Sequence, residues 1–128
     1  MTNALRNAAV AASGVRVLFG LYMTAKPADV GETWIGETGR FESVGVLVRA
    51  VGARDIGFGT GSAAALLARR DDQAAVWLGV SALGDLIDLG SLLAARNRLP
   101  DKSVAIIGPI AAGSAALMGA AAVAAARG

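Results

Sequence analysis

Residues 74–95 read AAVWLGVSALGDLIDLGSLLAA, with Asp85 and Asp88 as the only charged residues. A helix rises about 1.5 Å per residue, so this stretch matches a bilayer hydrocarbon core of about 30 Å. The two carboxylates fall near its middle, where an unpaired charge costs several kcal/mol. Their i, i+3 spacing puts both on one helix face. A span of this kind needs cations from its neighbours, or a bound ligand, to hold that face in place.

The neighbouring sequence supplies three further spans. Residues 43–68 carry Arg49, Arg54 and Asp55, then turn purely apolar and small from Ile56 to Ala68. Residues 8–25 are broken only by Arg16 and stop at Lys26-Pro27, because Pro cannot continue a helix. Residues 104–126 carry no charge before Arg127. The first span is too long and too interrupted for a cleaved signal peptide. The expected fold is all-α: one four-span transmembrane domain over residues 1–128, arranged as an up-down-up-down bundle because two connections are short. Those connections are Arg69-Arg70-Asp71-Asp72 and the stretch from Arg96 to Lys102. Residues 27–42 form the longest polar connection, and Trp34-Ile35 is expected to rest on the bilayer surface.

Composition points the same way. Of 128 residues, 55% are hydrophobic but only 5% aromatic, and 17 are Gly, which suits helices packing closely in lipid. Cys and His are absent. That removes a disulfide frame, a thiolate nucleophile, the commonest metal ligand and any serine–histidine triad. Two aspartates are too few ligands for a closed cation site, so no metal and no cofactor is expected. Basic residues are scattered, which argues against nucleic-acid binding. The Arg-rich, Lys-poor count with abundant Ala and Gly points to a GC-rich bacterial genome, hence to the cytoplasmic (inner) membrane. Basic charge nearly ties between the two ends of the spans. The acidic stretch at 27–42 favours both termini in the cytoplasm.

Arg16, Arg54, Asp55, Asp85 and Asp88 all fall near mid-span and form a candidate buried charge layer. Arg54 and Asp55 point about 100° apart, so one can face the first span and the other the third. Arg49 is a candidate third cation. Guanidinium suits such a layer because it holds a carboxylate through two parallel hydrogen bonds. A second pattern is the small residues. Gly57 and Gly61 have the spacing at which membrane helices approach closely, and Gly108, Ala112 and Ala116 repeat it in the last span. This face serves either packing within the bundle or contact with another subunit. The Gly57-Phe58-Gly59-Thr60-Gly61 run is not a phosphate loop, since no strand precedes it and no Lys follows.

The order Arg16-Val17-Leu18-Phe19-Gly20, Lys26-Pro27, Gly52-Ala53-Arg54-Asp55-Ile56-Gly57-Phe58-Gly59 and Leu83-Gly84-Asp85-Leu86-Ile87-Asp88 resembles a family of small four-helix bacterial membrane proteins catalogued as a domain of unknown function. The resemblance implies a four-helix fold and the Arg–Asp layer, and no reaction. The chain departs from that pattern in having Lys102-Ser103 where the family has a His near the start of the last span.

Two functions are expected from these features. The first is a non-enzymatic accessory or scaffold subunit, in contact with membrane lipid and other membrane subunits, in an assembly such as a transporter of lipid or other hydrophobic cargo. Small size, short loops and missing catalytic residue types support it. The alternative is a membrane-embedded enzyme acting on a lipophilic substrate, for example by epoxide opening or isomerisation, with Asp85 and Asp88 as acid and base and Arg54 orienting them. A lipid-sized cavity opening onto Asp85 would favour the alternative. A dry, fully paired layer would favour the scaffold.

Overall fold

Pro27 ends one helix and begins the next. It stops α1 (Asn3–Ala25) and sits at the first position of α2 (Pro27–Ile35), where its missing N–H leaves no bond unmade. The computed structural model describes residues 1–128 and contains helices and turns but no strand. After α2 come a 3-10 turn (Glu37–Arg40), α3 (Glu42–Leu67), α4 (Asp71–Ala95), a 3-10 turn (Arg96–Arg98) and α5 (Asp101–Ala126). The polar connection expected at 27–42 is therefore largely helical. Gly36, at φ 85°, makes the bend that ends α2, and Gly31 and Gly39 let α2 lie directly against the first 3-10 turn.

Each long helix starts earlier than its apolar stretch predicts, because the first turns are polar. Thr2 caps α1 by accepting from the Leu5 N–H. Asp71 and Asp72 occupy the first turn of α4, and Asp101 that of α5, where negative charge complements the helix dipole. Three helices are long and apolar enough to cross a membrane: α1, α5, and α4 continued through its 3-10 turn. α3 is as long, at 26 residues, but Arg49, Arg54, Asp55 and its glycines dilute its apolar content.

Contacts along the helices are antiparallel for each successive pair. Gly20 meets Gly52 and Ile56, and Ser13 meets Gly59, between α1 and α3. Phe58 meets Gly84 between α3 and α4, and Leu92 meets Gly108 between α4 and α5. The pairs α1–α3 and α4–α5 pack extensively, whereas α1 and α5 touch only sparsely. The α1–α3 approach rests on glycine: a Cβ on Gly52 would stand 2.8 Å from the Gly20 carbonyl oxygen, and one on Gly59 would stand 2.6 Å from that of Ser13.

This corrects the expected packing face. The α1–α3 approach uses Gly52 and Gly59, seven residues apart; of the expected pair, Gly61 packs against α4 instead and Gly57 against neither helix. A Cβ on Gly57 would meet open space, and Gly61 receives the Trp77 ring of α4. In α5, Gly108 is buried beside Leu92, while Ala112 and Ala116 face outward. The inward stripe of α5 runs instead through Ser103, Ile107, Ala111, Ala115, Met118 and Ala121.

The chain is apolar outside and polar along its seam. Leu18, Leu47, Leu67 and Val76 are exposed, while Ser13, Ser62, Ser81 and Ser103 are fully buried. Ser13 and Ser81 hydrogen-bond the carbonyls of Ala9 and Trp77, four residues back in their own helices. One apolar cluster, built on Leu66, Leu78 and Met118, closes the end near the termini. A smaller one, Met23, Val30 and Val48, lies toward α2. Between these levels come the ionised residues.

Candidate functional site

Arg16 is the hub. It leaves α1 on the inward stripe Arg6, Ala9, Ser13, Arg16, Gly20, Met23 and is 7% exposed. Its Nη1 donates to Oδ1 of Asp55 on α3 at 3.2 Å. Its Nη2 donates to Oδ2 of Asp85 on α4, and to the Ser114 hydroxyl on α5 at 2.7 Å. One guanidinium thus touches the other three long helices. Its Nε is enclosed without a partner.

Arg54 forms the second half of the layer. Its Nη1 and Nη2 hold both oxygens of Asp88, at 3.2 and 2.7 Å, in the two-pronged geometry that guanidinium favours. Its Nε and Nη2 also donate to Oδ1 of Asp55, at 3.4 and 3.3 Å. The Phe58 ring lies 6.0 Å from its Cζ. The five residues therefore form one line of alternating sign, Asp85–Arg16–Asp55–Arg54–Asp88. Its two ends lie one turn apart on α4. Arg49 is exposed and takes part in no ion pair, so it supplies no third cation.

The carboxylates differ in what remains free. Asp88 has both oxygens engaged by Arg54, and its side chain is 27% exposed. Asp55 and Asp85 are 7% and 6% exposed, and each uses only one oxygen. Oδ2 of Asp55 and Oδ1 of Asp85 accept no hydrogen bond, and neither is sealed inside the protein. Arg16, not Arg54, orients Asp85.

A cavity of about 500 Å³ opens on this line. Arg16, Asp55, Asp85, Asp88 and Ser114 form its polar part, and Val15, Phe19, Met23, Trp34, Ile107, Ile110 and Leu117 contribute apolar wall. It lies where α1 and α5 stand apart. A second cavity, about 210 Å³, shares Trp34, Asp88 and Ile107 with it and extends along Ile35, Leu92 and Leu99. Trp34 thus borders both, and its indole N–H has no partner. No group of three Asp, Glu, His or Cys side chains is arranged to hold a metal ion.

Sequence reasoning missed Arg6, which read only as an end charge. It is 8% exposed and reaches across to the α3–α4 turn, donating to the Leu66 carbonyl at 3.0 Å and to Asp71 at 2.8 Å. The available signal was its place on the stripe it shares with Arg16. Comparison of the chain with protein-family models, curated proteins and solved structures gives no match. Functional reading therefore rests on this geometry.

Proposed function

We propose that the chain is a four-span, up-down-up-down membrane bundle that binds a lipophilic small molecule at its charge layer. Helices α1, α3, α4 and α5 span the bilayer, and α2 lies at the surface with Trp34. The apolar exterior over a polar seam supports this topology, since lipid and not water then faces the leucines. The proposed location is the bacterial inner membrane with both termini in the cytoplasm.

The observation that carries the binding role is the cavity on Asp85. Its volume of about 500 Å³ falls in the range of roughly 300–1,000 Å³ common to small-molecule sites. Its walls are apolar and its few polar groups converge at one level, which suits a ligand with a polar head and a hydrocarbon body. Asp85, with one oxygen held by Arg16 and the other free, is the group positioned to exchange a proton with such a ligand. Asp88 is held by both Nη atoms of Arg54 and is poorly placed as its acid–base partner; Asp55 is better placed.

A second reading, the accessory subunit, draws support from Ala112 and Ala116, whose outward position offers a flat surface for another membrane helix. One experiment separates the two. Gentle detergent extraction followed by mass spectrometry is expected to release a small lipophilic molecule from the wild-type chain, and not from Leu117→Trp, which fills the cavity. Recovery of other protein chains in fixed ratio, with no small molecule, would favour the subunit and count against the binding site.

A further inference from the structure

We propose that the ligand of the α1–α5 cavity is a lipophilic cation, a hydrocarbon body bearing a single protonated amine. This rests on the binding role proposed above and adds the charge class of the molecule bound.

The first argument is the charge balance of the layer. Three carboxylates, Asp55, Asp85 and Asp88, face two guanidinium groups, Arg16 and Arg54. Arg49 does not close the deficit, because it points outward. With all three carboxylates ionised, one negative charge is left over where the surroundings are apolar, and either a proton or a monovalent cation at that level cancels it. Attraction between opposite charges is several-fold stronger there than in water.

The second argument is which atoms remain available. The carboxylate oxygens without partners, Oδ2 of Asp55 and Oδ1 of Asp85, belong to residues more than nine-tenths buried that line the cavity. Both are acceptors, so they select a donor. An ammonium group offers three donors and can serve both. The guanidinium groups have little to give an anion: Arg54 does not line the cavity, both Nη atoms of Arg16 are already donating, and its unpartnered Nε is enclosed. Phe19 and Trp34 add aromatic rings to the wall, and a cation can gain from an aromatic face.

The gap between α1 and α5 gives a route for such a molecule from the bilayer, where amphiphilic amines collect. Neither helix has to unfold to admit it, because the two touch only sparsely.

The test uses the purified full chain in neutral detergent and three rigid probes that share one hydrocarbon cage: 1-adamantylammonium, 1-adamantanol and 1-adamantanecarboxylate. Binding is read by equilibrium dialysis at low ionic strength. The ammonium probe is expected to bind at least about ten-fold more tightly than the alcohol, as a desolvated ion pair predicts, and the carboxylate is expected not to bind. Asp85→Asn should remove the preference for the cation while the alcohol still binds. Should Asp85→Asn fail to fold, Leu117→Trp provides the control, since it leaves every charge in place and should abolish binding of the ammonium probe. Equal binding of ammonium and alcohol, both lost in Leu117→Trp, would overturn the cation assignment and leave the binding site standing. Preference for the carboxylate would overturn it as well. No binding of any probe, or binding untouched by Leu117→Trp, would overturn the site itself.

Discussion

Arg16 and Asp85 lie 69 residues apart in the chain and are joined by a direct ion pair at the centre of the structure. The same guanidinium reaches Asp55 and Ser114, so the pair belongs to a junction of four helices. A buried ion pair of this kind adds little net stability over a well-packed apolar pair, but removing one partner strands the other.

Arg16→Leu is therefore expected to be the most damaging single change in the layer. It leaves Asp55 and Asp85 buried without that cation and should destabilise the chain by about 3–5 kcal/mol. Arg54→Leu should cost less, because Arg54 joins only α3 to α4, whereas Arg16 ties all four long helices together. Asp85→Asn should also destabilise. Unfolding in detergent measures all three, and the combination Arg16→Leu with Asp85→Leu should recover part of the loss. Tolerance of Arg16→Leu would show that the junction is not a brace.

Glycine substitutions should sort by face and not by motif. Gly52→Ala and Gly59→Ala force a methyl against a backbone carbonyl and should each cost about 1–3 kcal/mol through displacement of α1. Gly57→Ala meets nothing and should be neutral or stabilising by up to about 1 kcal/mol, the difference in helix propensity. Thermal unfolding of the three variants checks the order. The reverse order would place the α1–α3 contact on the wrong face of α3.

Arg69 ends α3 in the left-handed region, at φ 54°. The Arg70 N–H bonds the Ala65 carbonyl at 2.9 Å and the Arg69 N–H that of Leu66 at 3.2 Å, the paired bonds that close a helix C-terminus when Gly stands in this position. Arg69→Gly should relieve the Cβ penalty and raise stability by about 0.5–1 kcal/mol in the same assay. A lowered melting temperature would count against this account of the turn.

Trp34 borders both cavities, so Trp34→Ala should merge them into one larger space. The expected outcome is several-fold faster dissociation of a bound probe, measured by stopped-flow exchange, with stability changed less than by Arg16→Leu. Unaltered exchange would show that the ligand passes only between α1 and α5.

The proposed topology has a direct check, because the chain has no native Cys. Single cysteines at Gly128→Cys and Thr38→Cys should label from opposite sides of the membrane, with Gly128 on the cytoplasmic side. Labelling from the same side would remove one span, and α3 would be the first to doubt.

Helical periodicity is local, and what depends on it could be read from residue order. The inward faces repeat at three and four residues: Arg6, Ala9, Ser13, Arg16, Gly20 and Met23 in α1, and Ala74, Leu78, Ser81 and Asp85 in α4, with Leu92 two turns on. That repeat puts the arginines and aspartates on faces that can meet, and the apolar stretches mark the four long helices but not their polar first turns. The same repeat separates Gly61, which packs on the Trp77 ring of α4, from Gly57, which meets nothing. Pairing is a different kind of fact. Whether Arg16 holds Asp85 or Asp88, and whether Arg49 joins them, depends on how far each helix is rotated and which neighbour it meets. The cavity depends on α1 and α5 standing apart, with side chains on two distant segments failing to fill the space between them. No single segment encodes that gap, so only the assembled helices reveal that two buried carboxylates line a cavity.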